Sequence, residues 1–169
     1  MAERTVIIPP EYLRVEKQPI IFLAGPIQGA PDWQLEAVKF IHDLTPGILI
    51  ASPRRVSFDK GFNYDEQVDW ETHYLNEAGE KGVIMFWLAK EKEVVPGRAY
   101  AQTSRFELAE WKVRHQKDGV KLVIGIEEGF PGERYIRKRL TQDCPDVLIL
   151  DTLEKTCAVA INLLKKDSL

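Results

Sequence analysis

Short apolar runs alternate with longer stretches of helical period along this chain, an order that restricts the fold to βαβ units around a mostly parallel sheet. The runs occupy 20–24, 48–50, 83–88, 122–126 and 147–150. The first stops at Gly25-Pro26, because proline cannot donate to a sheet ladder. Pro31 and Asp32 then open a helix whose Trp33, Ala37, Phe40, Ile41 and Leu44 recur at three and four positions, with Pro46-Gly47 closing it. Further helices are expected over 65–80, from Thr103 or Ser104 to about Lys117, and over 133–140 and 153–164. Residues 83–88 are apolar on both faces and read as a central buried strand. Right-handed crossovers make this an α/β protein, a three-layer α/β/α sandwich with a five-stranded parallel sheet in the flavodoxin-like order 2-1-3-4-5. Residues 1–18 read as an arm or edge extension, and residues 19–169 as one domain, in keeping with the 169-residue length.

Charge narrows the function. The chain has 23 Lys+Arg against 26 Asp+Glu, net −3, mixed along its length without the basic face that replaces counterions on nucleic acid. The longest apolar run, 83–89, is far shorter than the roughly 20 residues of a membrane span. Val6, Ile7 and Ile8 precede Pro9-Pro10, too short a stretch for a secretory leader, so a cytoplasmic location is expected. Cys144 and Cys157 are isolated and expected as free buried thiols. His42, His73 and His115 fit no metal motif.

In a doubly wound sheet, ligands bind outside the carboxyl ends of the strands near the point where strand order reverses. That selects 25–30, 52–63, 65–71 and 89–107. No G-x-G-x-x-G and no P-loop follows the first strand. Gly25, Pro26 and Gly29 form a side-chain-poor turn, either a strand terminator or a place where a ligand meets backbone. On the 65–80 helix, Val68, Leu75 and Ala78 make an apolar stripe that also carries Glu71. An inward carboxyl is either a rim or salt-bridged group, or a general acid or base whose pKa burial raises. Asp69 and His73, spaced i,i+4, are a solvated pair or two ligands lacking a third. Ser104-Arg105-Phe106-Glu107 reads as a capping box, with Phe106, Ala109 and Val113 on the core face. The same Glu107 could instead be a nucleophile, kept ionised by the helix dipole.

Taken together, these segments resemble the nucleoside 2-deoxyribosyltransferases and the related nucleotide N-glycoside hydrolases. Phe22-Leu23-Ala24-Gly25-Pro26-Ile27 is similar to the family's Y-x-A-G-P-F turn, and Thr103-Ser104-Arg105-Phe106-Glu107-Leu108 to its S/G-T-x-x-E-L/I helix start. Gln67-Val68-Asp69-Trp70-Glu71 is similar to its acid-bearing helix. The resemblance implies double displacement without metal or cofactor, with Glu107 attacking C1′ and Glu71, or Asp69 in reserve, carrying the proton. It further implies Phe22, Gly25, Pro26, Ile27, Asp69, Gln102 and Ser104 around nucleoside and free-nucleobase substrates, in a homodimer or higher oligomer with shared sites.

The chain departs from the family at three places. Phe22 stands where a tyrosine usually bonds the nucleophile, leaving Tyr64 or Tyr100 as sources of that hydroxyl. Tyr100-Ala101-Gln102 replaces the acid that reads the base, and Ser104, Arg105, Arg54 and Arg55 stand in for an incomplete phosphate grip. Residues 129–169 carry no motif. The expected function is base exchange on a 2′-deoxynucleoside, with N-glycoside hydrolysis or non-catalytic nucleotide sensing as alternatives. Phosphoreceiver and flavodoxin readings fail for want of an acidic pair or hydroxyl-rich phosphate loop at the strand ends.

Overall fold

The computed structural model describes residues 5–14, 16–57 and 61–166. Positions 1–4 and 15 of the expected arm, 58–60 of the expected 52–63 loop, and 167–169 lie outside the described residues. Six parallel strands, β1 (Val6–Ile7), β2 (Ile20–Ala24), β3 (Leu49–Ala51), β4 (Val83–Leu88), β5 (Leu122–Ile126) and β6 (Ile149–Leu150), lie in the order β1-β3-β2-β4-β5-β6. The five expected strands hold the expected order. The sheet has one strand more than expected, because β1 pairs with β3 in the register Val6↔Ile50 and Ile7↔Ala51. Two residues are too few to show a period, yet Ile7 is fully buried and ties the amino-terminal segment to the sheet edge.

Alternation along each strand feeds two cores. Phe22, Ile84, Phe86 and Ile124 point to the side covered by α2 (Tyr64–Lys81), α3 (Gln102–Asp118) and α4 (Glu133–Asp143). Ile21, Leu23, Met85 and Val123 point to the side covered by α1 (Trp33–Leu44) and α5 (Leu153–Lys165). Strands buried on both faces have to be apolar throughout, as β2 and β4 are. The chain runs outward from β2 to β3, then back across β2 to β4, and right-handed crossovers therefore put α1 and α2 on opposite faces. Strand order reverses between β2 and β4, and a crevice opens at their carboxyl ends.

Two helix faces differ from expectation. On α2 the buried residues are Gln67, Trp70, Tyr74, Leu75 and Ala78, while Val68 is largely exposed. On α3 they are Ser104, Leu108 and Trp111, and Phe106, Ala109 and Val113 face outward. The sequence offers two apolar stripes on α3, and the one bearing Trp111 wins because its indole seats on Gly79 of α2. A Cβ at Gly79 would lie 2.8 Å from that ring. No helix among the described residues is long and apolar enough to cross a membrane.

Candidate active site

The β2–α1 turn is the floor of the crevice. Gly25 has φ +151, and a Cβ there would come within 2.2 Å of the Trp87 carbonyl on β4. This glycine is required by the close approach of a neighbouring strand. The Trp33 indole donates to Pro26 O at 2.9 Å, and Arg54 donates to Gln34 Oε1 and to the carbonyls of Ile27 and Pro31. Arg54 therefore binds the turn to α1.

A cavity of about 210 Å³ lies above this floor, lined by Gly25, Pro26, Ile27, Glu71, Gln102, Ser104 and Glu107. Closed ligand pockets commonly measure roughly 300–1,000 Å³, so a ligand larger than a sugar ring extends past the mouth. Glu71 and Glu107, thirty-six positions apart in sequence, meet there because α2 and α3 both begin at the same edge of the sheet. Two of the expected substrate residues lie elsewhere. Phe22 is buried under the site against Trp70, with ring centroids 6.3 Å apart, and Asp69 is exposed on α2 away from the cavity lining. His73, one helical turn after Asp69, packs on Tyr12 and Tyr74.

The two carboxyls have unlike surroundings. Glu71 Oε1 accepts from Gln67 Nε2 at 2.7 Å; burial raises its pKa, with the Gln67 bond and the Arg55 charge opposing the rise. Among the described residues nothing donates to Glu107. Burial, then the charges of Glu71 and Glu110, push its pKa up to about 8. The capping reading of Glu107 is overturned. α3 begins two residues before Ser104, entered through Ala101 at φ 58 with no side-chain cap bond. Ser104 is thus in the first turn and Glu107 in the second, beyond the reach of the dipole invoked for an ionised group. Glu107 also falls on the inward stripe with Ser104, Leu108 and Trp111, which accounts for its desolvation.

Of the two hydroxyls considered, Tyr64 lines the cavity, whereas Tyr100 donates to Ala89 O at 2.6 Å. Among the basic residues, Arg105 donates to Pro131 O and stacks on Phe130. Arg55 donates to Gln67 and stacks on Phe62. Among the described residues the cation in the cavity lining is Arg98, which the sequence reading missed along with Gln28, Phe62 and Gln67. All four lie inside the segments selected for the strand ends, but only side-chain packing separates them from their neighbours.

An open, doubly wound parallel α/β sheet with two carboxyl groups sharing one cavity at its switch point defines a small-molecule site equipped for acid–base and nucleophilic chemistry. The model of a family described as nucleoside 2-deoxyribosyltransferase like matches residues 18–130, two thirds of the chain. The chain belongs to that family, whose description points to nucleoside substrates. No curated protein matches it.

Proposed function

We propose that the protein is a nucleoside 2′-deoxyribosyltransferase, exchanging the base of a 2′-deoxynucleoside through a glycosyl ester on Glu107. The observation that carries this reading is the convergence of Glu71 and Glu107 on one cavity, close enough for the Glu71 charge to raise the pKa of Glu107. Paired carboxyls serve retaining glycosyl transfer, one as nucleophile and one as proton carrier.

The reaction uses one proton on the pair. With that proton on Glu71, the Glu107 carboxylate attacks C1′, the C1′–N bond breaks, and its electron pair stays with the base, which takes the Glu71 proton. The ester is then resolved by a second base, whose nitrogen attacks C1′ as its proton passes to Glu71 and the Glu107 oxygen leaves. Dividing one displacement into two gives each a lower barrier. Gly25, Pro26 and Ile27 floor the sugar site, while Gln102 and Ser104 border it from α3. Phe22 supports the lining from behind. The reading includes a cytoplasmic role in base salvage without metal or cofactor. It also includes a homo-oligomer, supported by Phe106 and Val113, which stand exposed on the outer face of α3.

Incubating the protein with a deoxynucleoside, with and without a second free base, tests this. Base exchange is expected. Base release unaffected by the second base would instead assign an N-glycosidase, and binding without either product would assign a nucleotide sensor.

A further inference from the structure

The two carboxyls of the cavity are chemically alike, yet only one is held from behind. Gln67, one turn before Glu71 on α2, is buried, and three of the four hydrogen-bonding valences of its amide are committed. Its Nε2 donates to Glu71 Oε1 at 2.7 Å and to Pro53 O at 3.0 Å, and its Oε1 accepts from Arg55 Nε at 2.6 Å. The amide has only one possible orientation. A guanidinium can only donate and a peptide carbonyl can only accept, so Arg55 and Pro53 between them decide which end of the amide is nitrogen. That nitrogen then points at Glu71. Arg55 is fixed in its turn by the face of Phe62, 5.1 Å from its guanidinium carbon to the ring centroid.

We propose that Gln67 is the positioning residue of this site: it anchors one oxygen of Glu71 and leaves the other to the cavity. The role rests on the reading of Glu71 as proton carrier. An amide N–H bonded to a carboxylate stabilises the anion and loses strength when the carboxyl is protonated. Glu107 has no such donor among the described residues, so Gln67 contributes to the asymmetry between the two acids beside their burial and the Glu110 and Arg55 charges. The charged and titratable groups around Glu71 are Arg55 from the loop after β3, whose charge acts on it, and three that line the same cavity: Glu107 from α3, Arg98 from the β4–α3 connection, and Tyr64 on its own helix. Of these, Arg55 favours the anion and Glu107 opposes it. Gln67 alone touches Glu71 and stays neutral at every pH.

The test is a carboxyl ¹³C-NMR titration of glutamate-labelled full-length protein, with the Glu71 resonance assigned by its absence in Glu71→Gln. In Gln67→Met, which keeps the side-chain length and removes the amide, the Glu71 midpoint should move up by about one pH unit. The acidic limb of kcat/KM should move with it, while KM at the optimum changes little. In the unaltered protein, the Gln67 side-chain amide protons should titrate at the Glu71 midpoint, a readout that does not depend on the variant folding. A folded Gln67→Met with an unmoved Glu71 midpoint, or Gln67 amide signals indifferent to that midpoint, overturns the positioning role. If instead Glu71→Gln retains full base exchange, the proton-carrier reading itself fails, whatever Gln67 does. The two failures are therefore distinguishable.

Discussion

Glu107 and Glu71 illustrate how far neighbours, rather than residue type, decide what a carboxyl group does. Both pKa values are raised by burial, but only Glu71 has a donor to offset it. The reaction needs one proton on the pair, since two leave no nucleophile and none leaves no acid. A bell-shaped kcat/KM profile is therefore expected. Its acidic limb, where the coupled pair loses its first proton, lies above the ordinary carboxylate value, and its alkaline limb, where the pair loses its second, lies near 8. A profile still rising at pH 9 would contradict this. Replacing Glu71 by Gln should cost about 10²–10⁴ in turnover with ordinary nucleosides. Most of that should return with a glycoside whose leaving group departs without protonation, measured as the ratio of the two rates. Glu107→Gln should be inactive with both, because no leaving group substitutes for a missing nucleophile.

At the scale of elements, what the sequence made legible was periodicity and order. Apolar runs bounded by Gly-Pro and Pro-Gly pairs located the strands, their parallel order put 65–71 and 89–107 at the carboxyl ends, and the family resemblance paired Glu71 with Glu107. β1 escaped because two residues carry no period. The exposed face of α3 was misread because Phe106, Ala109 and Val113 are as apolar as the stripe that packs, and the choice depends on Trp111 meeting Gly79, a contact distant in sequence. The capping box failed for a similar reason: S-x-x-E is a local pattern, but α3 starts where the β4–α3 connection delivers Ala101. Two substitutions check these assignments by urea midpoint. Ser104→Ala should cost less than the roughly 0.5–2 kcal/mol of a lost N-cap. Gly25→Ala should destabilise by about 2 kcal/mol or more, since its Cβ would overlap the Trp87 carbonyl at a φ of +151.

For the whole molecule, the site should be a source of instability in alkali. Unfolding returns Glu107 to water and to its ordinary pKa of 4.5, whereas in the native protein it titrates near 8. Below 4.5 the group is protonated in both states and costs nothing. Between the two values the native state holds a proton that the unfolded state has released, so stability falls as pH rises, by roughly 1.4 kcal/mol per pH unit for this one group. Above 8 the fall levels off with an unpaired anion buried in the native cavity. Glu71, whose pKa burial also raises, adds in the same direction. The surface pairs of Asp143 with Lys112 and Arg139, and of Asp146 with His115, lower those aspartates' pKa values and act oppositely, adding stability that is lost in acid. A difference between two proteins cancels that background. Glu107→Gln keeps the shape of the side chain and removes its ionisation, so it should match the parent in thermal and urea midpoints near pH 4 and exceed it near pH 8.5, while losing base exchange at both. Equal midpoints at the higher pH would mean that Glu107 is already hydrated or paired when ionised, and the alkaline limb of the activity profile would then need another source.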